Sequence, residues 1–142
     1  MLYNDLSNRG AETIAFRVEN CLLHYKEEGL RNKTLNILRG RTERAEIDEE
    51  MLRRLIYVYK KTDYNIALVV AEEYYRGLEE FLIKHGVPFS ELIVTRKPVD
   101  IAIRLNVRDI LYYVDNDVKR MYAIGNVNCI LPSAFDLIVR GR

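Results

Sequence analysis

Apolar runs of strand length alternate with stretches of helical spacing along almost the whole chain, the signature of an α/β domain built on a largely parallel sheet. Five runs read as strands: residues 13–18 (TIAFRV), 66–71 (IALVVA), 92–95 (LIVT), 110–114 (ILYYV) and 129–131 (CIL). Most lack a clean apolar–polar alternation, as expected where helices cover both faces of the sheet. Between them, residues 48–61 place Met51, Leu52, Leu55, Ile56 and Tyr59 on one helical face, with Asp48 as N-cap and lysines in the last turn. Residues 72–85 repeat the pattern through Tyr74, Tyr75, Leu78, Phe81 and Leu82, start with acids and stop at Gly86. A short helix over 99–105 follows Pro98, and another runs from Asp117 to Gly125.

Residues 25–47 break this rhythm. They are dense in charge and poor in core residues, which predicts a flap or hairpin over one end of the sheet. Their acids are interleaved with their basic residues and they hold one aromatic, which gives a nucleic-acid patch little support.

Composition narrows the class further. At 142 residues and 49% hydrophobic, the chain fits one domain over residues 1–142 with a sizeable core. Its 22 basic and 21 acidic residues nearly cancel, so no overall field draws it to nucleic acid or to a membrane surface. No apolar run reaches the length of a bilayer span and the first residues carry no secretion signal, so the expectation is a soluble cytoplasmic protein without a membrane partner. Cys21 and Cys129 sit in apolar surroundings without a CxxC pair, and read as buried thiols.

In an open α/β sheet, ligands bind beyond the carboxyl ends of the strands. The residues found there are Arg17, Glu19 and Cys21; Val70, Ala71 and Glu72; Thr95, Arg96 and Lys97; and Asp115 and Asp117. This ordered set resembles the haloacid dehalogenase-like (HAD) phosphatases. TIAFRVENCLLHY is similar to their opening strand and DxDxT motif. The stretch from IALVVAEEYY to TRKP is similar to the middle segment, where a strand ends in Ser or Thr and a Lys precedes Pro. ILYYVDNDVKRMYAIGNVNCILP is similar to the last motif of an apolar strand followed by aspartates.

The resemblance spans roughly residues 13–132 and implies a three-layer Rossmann-like domain with a mainly parallel sheet. The short chain between Cys21 and Asp48 leaves no room for a large cap. It also implies Mg²⁺-dependent phosphoryl transfer. The first aspartate of such a site attacks phosphorus, the second is acid and base, Ser or Thr and Lys hold the phosphoryl oxygens, and the last aspartates hold the metal.

Carried onto this chain, the nucleophile position is Arg17, whose guanidinium stays protonated and cannot attack. Glu19 takes the acid–base position, Cys21 the third motif position, and Val70, or Ala71 one residue on, the Ser/Thr position. Lys97 fits the phosphate-binding lysine, and Asp115 and Asp117 fit the metal carboxylates. The last two also read simply as a helix cap and a first-turn acid.

The expectation is therefore a catalytically degenerate, phosphatase-like protein without a cofactor, acting through a protein partner or by self-association, with Arg17 as counter-ion to Asp115 or Asp117. Two alternatives stand beside it. One is a divergent Mg²⁺ phosphohydrolase of nucleotides or nucleic-acid ends, and the other a non-hydrolytic phosphate or nucleotide binder using Arg17 and Lys97. Asp5, in NDLS, is a lesser candidate nucleophile that would revive the enzyme. Ten tyrosines and no tryptophan read as packing groups with wet hydroxyls, with Tyr57 and Tyr75 near the edges of their stripes and suited to an interface.

Overall fold

The computed structural model describes residues 12–25, 45–96, 110–124 and 127–140. Lys97, Asp5, the expected helix at 99–105 and most of the charged segment lie outside them. The described elements are β1 (Thr13–Arg17), β2 (Leu23–Tyr25), β3 (Ala45–Ile47), α1 (Glu49–Lys61), β4 (Asn65–Ala71), a 3₁₀ turn (Glu72–Tyr74), α2 (Leu78–Lys84), β5 (Glu91–Thr95), β6 (Ile110–Val114), α3 (Val118–Ile124), β7 (Cys129–Ile130) and α4 (Pro132–Phe135), which continues as a π-turn (Asp136–Arg140).

Five strands form one sheet in the order β5-β4-β1-β6-β7, with every pairing parallel. The chain builds outward from β1 through β4 to β5, then returns to the other side of β1 and builds outward again. This is a Rossmann-like layout whose switch point lies between β1 and β6. Right-handed crossovers require helices to change face where the strand order reverses, and the packing follows that rule. On one face Ile14, Phe16, Ile66, Leu68, Val70 and Val114 pack with Met51, Leu55 and Val58 of α1, Leu78 and Leu82 of α2, and Phe135 of α4. On the other, Ala15, Ala67, Val69, Ile93 and Tyr113 pack with Met121 and Ile124 of α3. Because β1 is covered on both faces, all five of its residues are buried; a continuous apolar run is the consequence.

Helix ends follow from local chemistry. Asp48 caps α1 by accepting the Met51 N–H at 2.9 Å, Glu49 and Glu50 occupy its first turn, and Lys60 and Lys61 its last. Its buried stripe is Met51, Arg54, Leu55 and Val58. Arg54 is held there by a two-pronged bond to Asp136 at 2.8 Å on each arm.

The helix expected over residues 72–85 is broken. A 3₁₀ turn ends at Tyr74, Gly77 takes the left-handed conformation at φ 74°, and only then does α2 begin. A left-handed residue cannot continue a right-handed helix, although the apolar spacing runs on through it. The far end of α2 stops at Gly86, at φ 69°. There the Gly86 N–H donates to the Ile83 carbonyl and the Val87 N–H to Leu82, a Schellman closure. At the two ends of the charged segment, β2 and β3 pair antiparallel.

Candidate functional site at the switch point

The carboxyl ends of β1 and β6 bring Arg17, Glu19, Cys21, Asp115 and Asp117 together. After Arg17 the chain makes a tight turn in which the Val18 carbonyl accepts the N–H groups of Cys21, Leu22 and Leu23 at 3.3, 3.0 and 2.9 Å. Asn20 adopts φ 62° within it, a conformation that Asn tolerates better than most residues. The Asn116 side chain, in the loop after β6, donates to the Asn20 carbonyl at 2.6 Å and fastens the two loops to each other.

Asp115 is the centre of the site and is fully buried, at 0% exposure. Its Oδ1 accepts the Asp117 N–H at 3.0 Å and an Arg120 Nη at 2.7 Å, and is approached at 3.3 Å by the Cys21 thiol, which divides its one proton between this oxygen and Asn116 Oδ1 at 3.1 Å. Its Oδ2 accepts Arg120 Nε at 2.6 Å and the Tyr113 hydroxyl at 2.7 Å. A carboxylate offers about four lone-pair positions, and five donors crowd them. Burial works to raise its pKa, but the hydrogen bonds from Arg120, Tyr113 and the Asp117 N–H outweigh burial and leave Asp115 below the usual carboxylate range.

The same contacts act on its neighbours. Burial, then the charge of Asp115, pushes the Cys21 thiol up to about 12, and the same two causes raise Tyr113 well above an ordinary phenol. Asp117 is half exposed and caps α3 by accepting the Arg120 N–H at 3.1 Å. Of the two residues read as a cap and then a first-turn acid, it is the second, Asp117, that caps the helix.

Arg17 does not pair with Asp115 or Asp117. Its Nη2 donates to Glu19 Oε2 at 2.7 Å, and both side chains are almost wholly buried. That same Glu19 oxygen accepts the Ala71 N–H at 2.8 Å, tying the end of β4 to the turn after β1. The cation on Asp115 is instead Arg120, which sequence reasoning missed. A signal was there: Arg120 follows the Asp117 cap by three residues, and helical side chains lean back toward the N-terminus, which carries its guanidinium onto the strand end.

Val70 points into the apolar core on the α1/α2 face and takes no part in the site; Ala71 contributes only its N–H. Cys129 is half-buried rather than buried, because β7 pairs over two residues at the sheet edge and covers little.

Two clefts lie elsewhere. One of about 650 Å³ sits at the opposite, amino end of the strands, lined by Glu12, Tyr57, Lys61, Tyr64 and Tyr112. Another of about 900 Å³ lies beside β7, lined by Tyr112, Val118, Met121, Tyr122, Val127 and Ile130. At the switch point Arg17, Glu19, Cys21 and Asp115 are all buried. No helix among the described residues is long and apolar enough to cross a membrane. No protein-family model, no curated protein and no solved structure matches the chain.

Proposed function

We propose that this chain is a catalytically degenerate relative of the HAD-like phosphatases that acts by binding, through a protein partner or a second copy of itself, and not by phosphoryl transfer. The observation that carries the reading is the closure of Asp115. A divalent hard cation needs carboxylate oxygens with free lone pairs, together with water and phosphate oxygens. Here the metal-position carboxylate is saturated by five donors, one of them a guanidinium held in a two-pronged grip. With the second guanidinium, Arg17, at the nucleophile position, the residues present do not fit Mg²⁺. The resemblance itself is supported by the Rossmann-like strand order and by the hairpin that leaves the end of β1.

A surface for association lies at the β7 edge. Val118 and Tyr122, one turn apart on α3, are 62% and 90% exposed, and Leu131 follows β7 at 39%. Exposed tyrosine beside apolar neighbours is a composition enriched in interfaces.

The test has two arms. Phosphate release from a generic phosphomonoester with Mg²⁺ is expected to stay at the level of a blank; metal-dependent turnover would overturn the reading. Sedimentation of the wild type and of Tyr122→Ser is expected to show a self-associating species, or capture of a partner, that the variant weakens.

A further inference from the structure

The cleft of about 650 Å³ at the amino end of the strands holds none of the positions carried over from the phosphatases. Its size is that of a small-molecule site. Its wall is assembled from three parts of the chain. Tyr57 and Lys61 stand one turn apart at the end of α1. The turn that follows supplies Asp63 and Tyr64, and is held by Thr62, whose hydroxyl donates to the Val58 carbonyl at 2.7 Å and accepts the Tyr64 N–H at 3.2 Å. Tyr112 comes from β6, and Glu12 from just before β1, where its carbonyl accepts the Asn65 N–H at 3.0 Å.

The three tyrosines are half-buried, and Glu12, Lys61 and Asp63 are exposed. Among the described residues, none of the three rings touches another aromatic ring, and no ion pair takes up any of the three charges. These groups are therefore available to a ligand, and their chemistry is selective. Two carboxylates against one ammonium leave the cleft net negative, and α1 turns the negative end of its dipole toward it. An anion is thereby disfavoured. A metal ion needs a set of oxygen ligands, and no group of three or more metal-ligating side chains occurs among the described residues. A plain apolar ligand would leave the carboxylates unused. A methylated ammonium uses both features, since its cationic head is attracted to aromatic faces as well as to carboxylates.

We propose that this cleft binds a small molecule carrying a methylated ammonium group, which sits against Tyr57, Tyr64 and Tyr112 with Glu12 and Asp63 as its counter-charges. The proposal goes beyond the binding role above and rests neither on it nor on the resemblance. Among these six groups Lys61 alone opposes the ligand, and its long stem lets the ammonium turn out to solvent.

Choline and neohexyl alcohol, in which a tert-butyl group replaces the trimethylammonium, have nearly the same shape and differ in charge. Chemical-shift titration of the full chain is expected to show choline binding at least about tenfold tighter than the alcohol, with shifts centred on the cleft. Tyr57→Leu keeps apolar bulk but removes an aromatic face, and Glu12→Gln removes a counter-charge. Each is expected to weaken choline by about threefold or more and to leave the alcohol unchanged. Lys61→Met is expected to tighten choline by about twofold. Failure of the folded wild type to bind choline saturably, equal affinity for the two probes, a preference reduced by neither Tyr57→Leu nor Glu12→Gln, or weaker choline binding in Lys61→Met would each overturn it. A trimethyllysine peptide binding at least about tenfold tighter than choline would overturn the small-molecule assignment. Glu12 is exposed, so its variant decides should Tyr57→Leu not fold. Phosphate release and sedimentation are separate readouts, so failure of the earlier reading would be seen apart from failure of this one.

Discussion

Asp115 concentrates the electrostatics of the molecule in one side chain. Its folded pKa is depressed, so by linkage it contributes stability that is present above the unfolded carboxylate value and is lost as pH falls through the lower folded value. Asp136, lowered chiefly by its bond to Arg54, and Asp48 act in the same direction. Melting temperature followed downward from about pH 5 is therefore expected to fall steeply in the wild type. Asp115→Asn should flatten that fall, because the variant has one less proton to take up on acid unfolding. At neutral pH the same substitution leaves Arg120 without its carboxylate, and denaturant titration should show a loss of about 3–5 kcal/mol. Cys21, with its thiol raised to about 12, is expected to resist a thiol-reactive dye at pH 8 until the protein unfolds, which labelling kinetics would read directly. Asp115 was legible as a site residue from its place after an apolar strand. Its true partner was not, because pairing between a strand end and a helix depends on the angle at which the helix leaves, and residue spacing does not encode that angle.

At the scale of elements, punctuation residues decide more than periodicity does. The Schellman end of α2 places Gly86 at φ 69° with no atom within 4 Å of where a Cβ would sit. Gly86→Ala should therefore cost backbone strain alone, about 1 kcal/mol, measured by thermal or denaturant unfolding. Asp48→Ala removes the cap of α1 and its contact with His24 at 2.8 Å, and should cost about 1 kcal/mol, typical of a lost N-cap. The start of α1 was readable because a capping acid, first-turn acids and an apolar stripe coincide. Residues 72–85 misled for the opposite reason: Tyr74, Tyr75 and Leu78 keep helical spacing, while Gly77 breaks the backbone between them. The C-terminal α4 went unseen because its apolar residues follow β7 after a single residue, and only Pro132 at its first turn marks a fresh helical start.

For the molecule as a whole, the two faces of the sheet are unequal. Phe16 meets Phe135 edge-on, with ring centroids 5.5 Å apart, on the face packed by α1, α2 and α4, whereas the opposite face of β1 presents Ala15. Phe16→Ala should consequently cost about 3–5 kcal/mol in denaturant unfolding, the range for removing a large buried aromatic. The strand positions and the parallel class were legible because burial on both faces turns each strand into a continuous apolar run. The cover of each face follows from the handedness of the crossovers once the strand order is known. The two buried ion pairs also bear on how such a sequence can drift. Arg17 with Glu19, and Arg120 with Asp115, lie where β1 and β6 end, beside the two loops that Asn116 fastens together. Losing one member of either pair strands a charge in the interior, so neutral change at one position waits on compensation at another. Substitutions here should spread through a lineage in coupled steps, and a carboxylate introduced at position 17 would set two acids side by side without their cation.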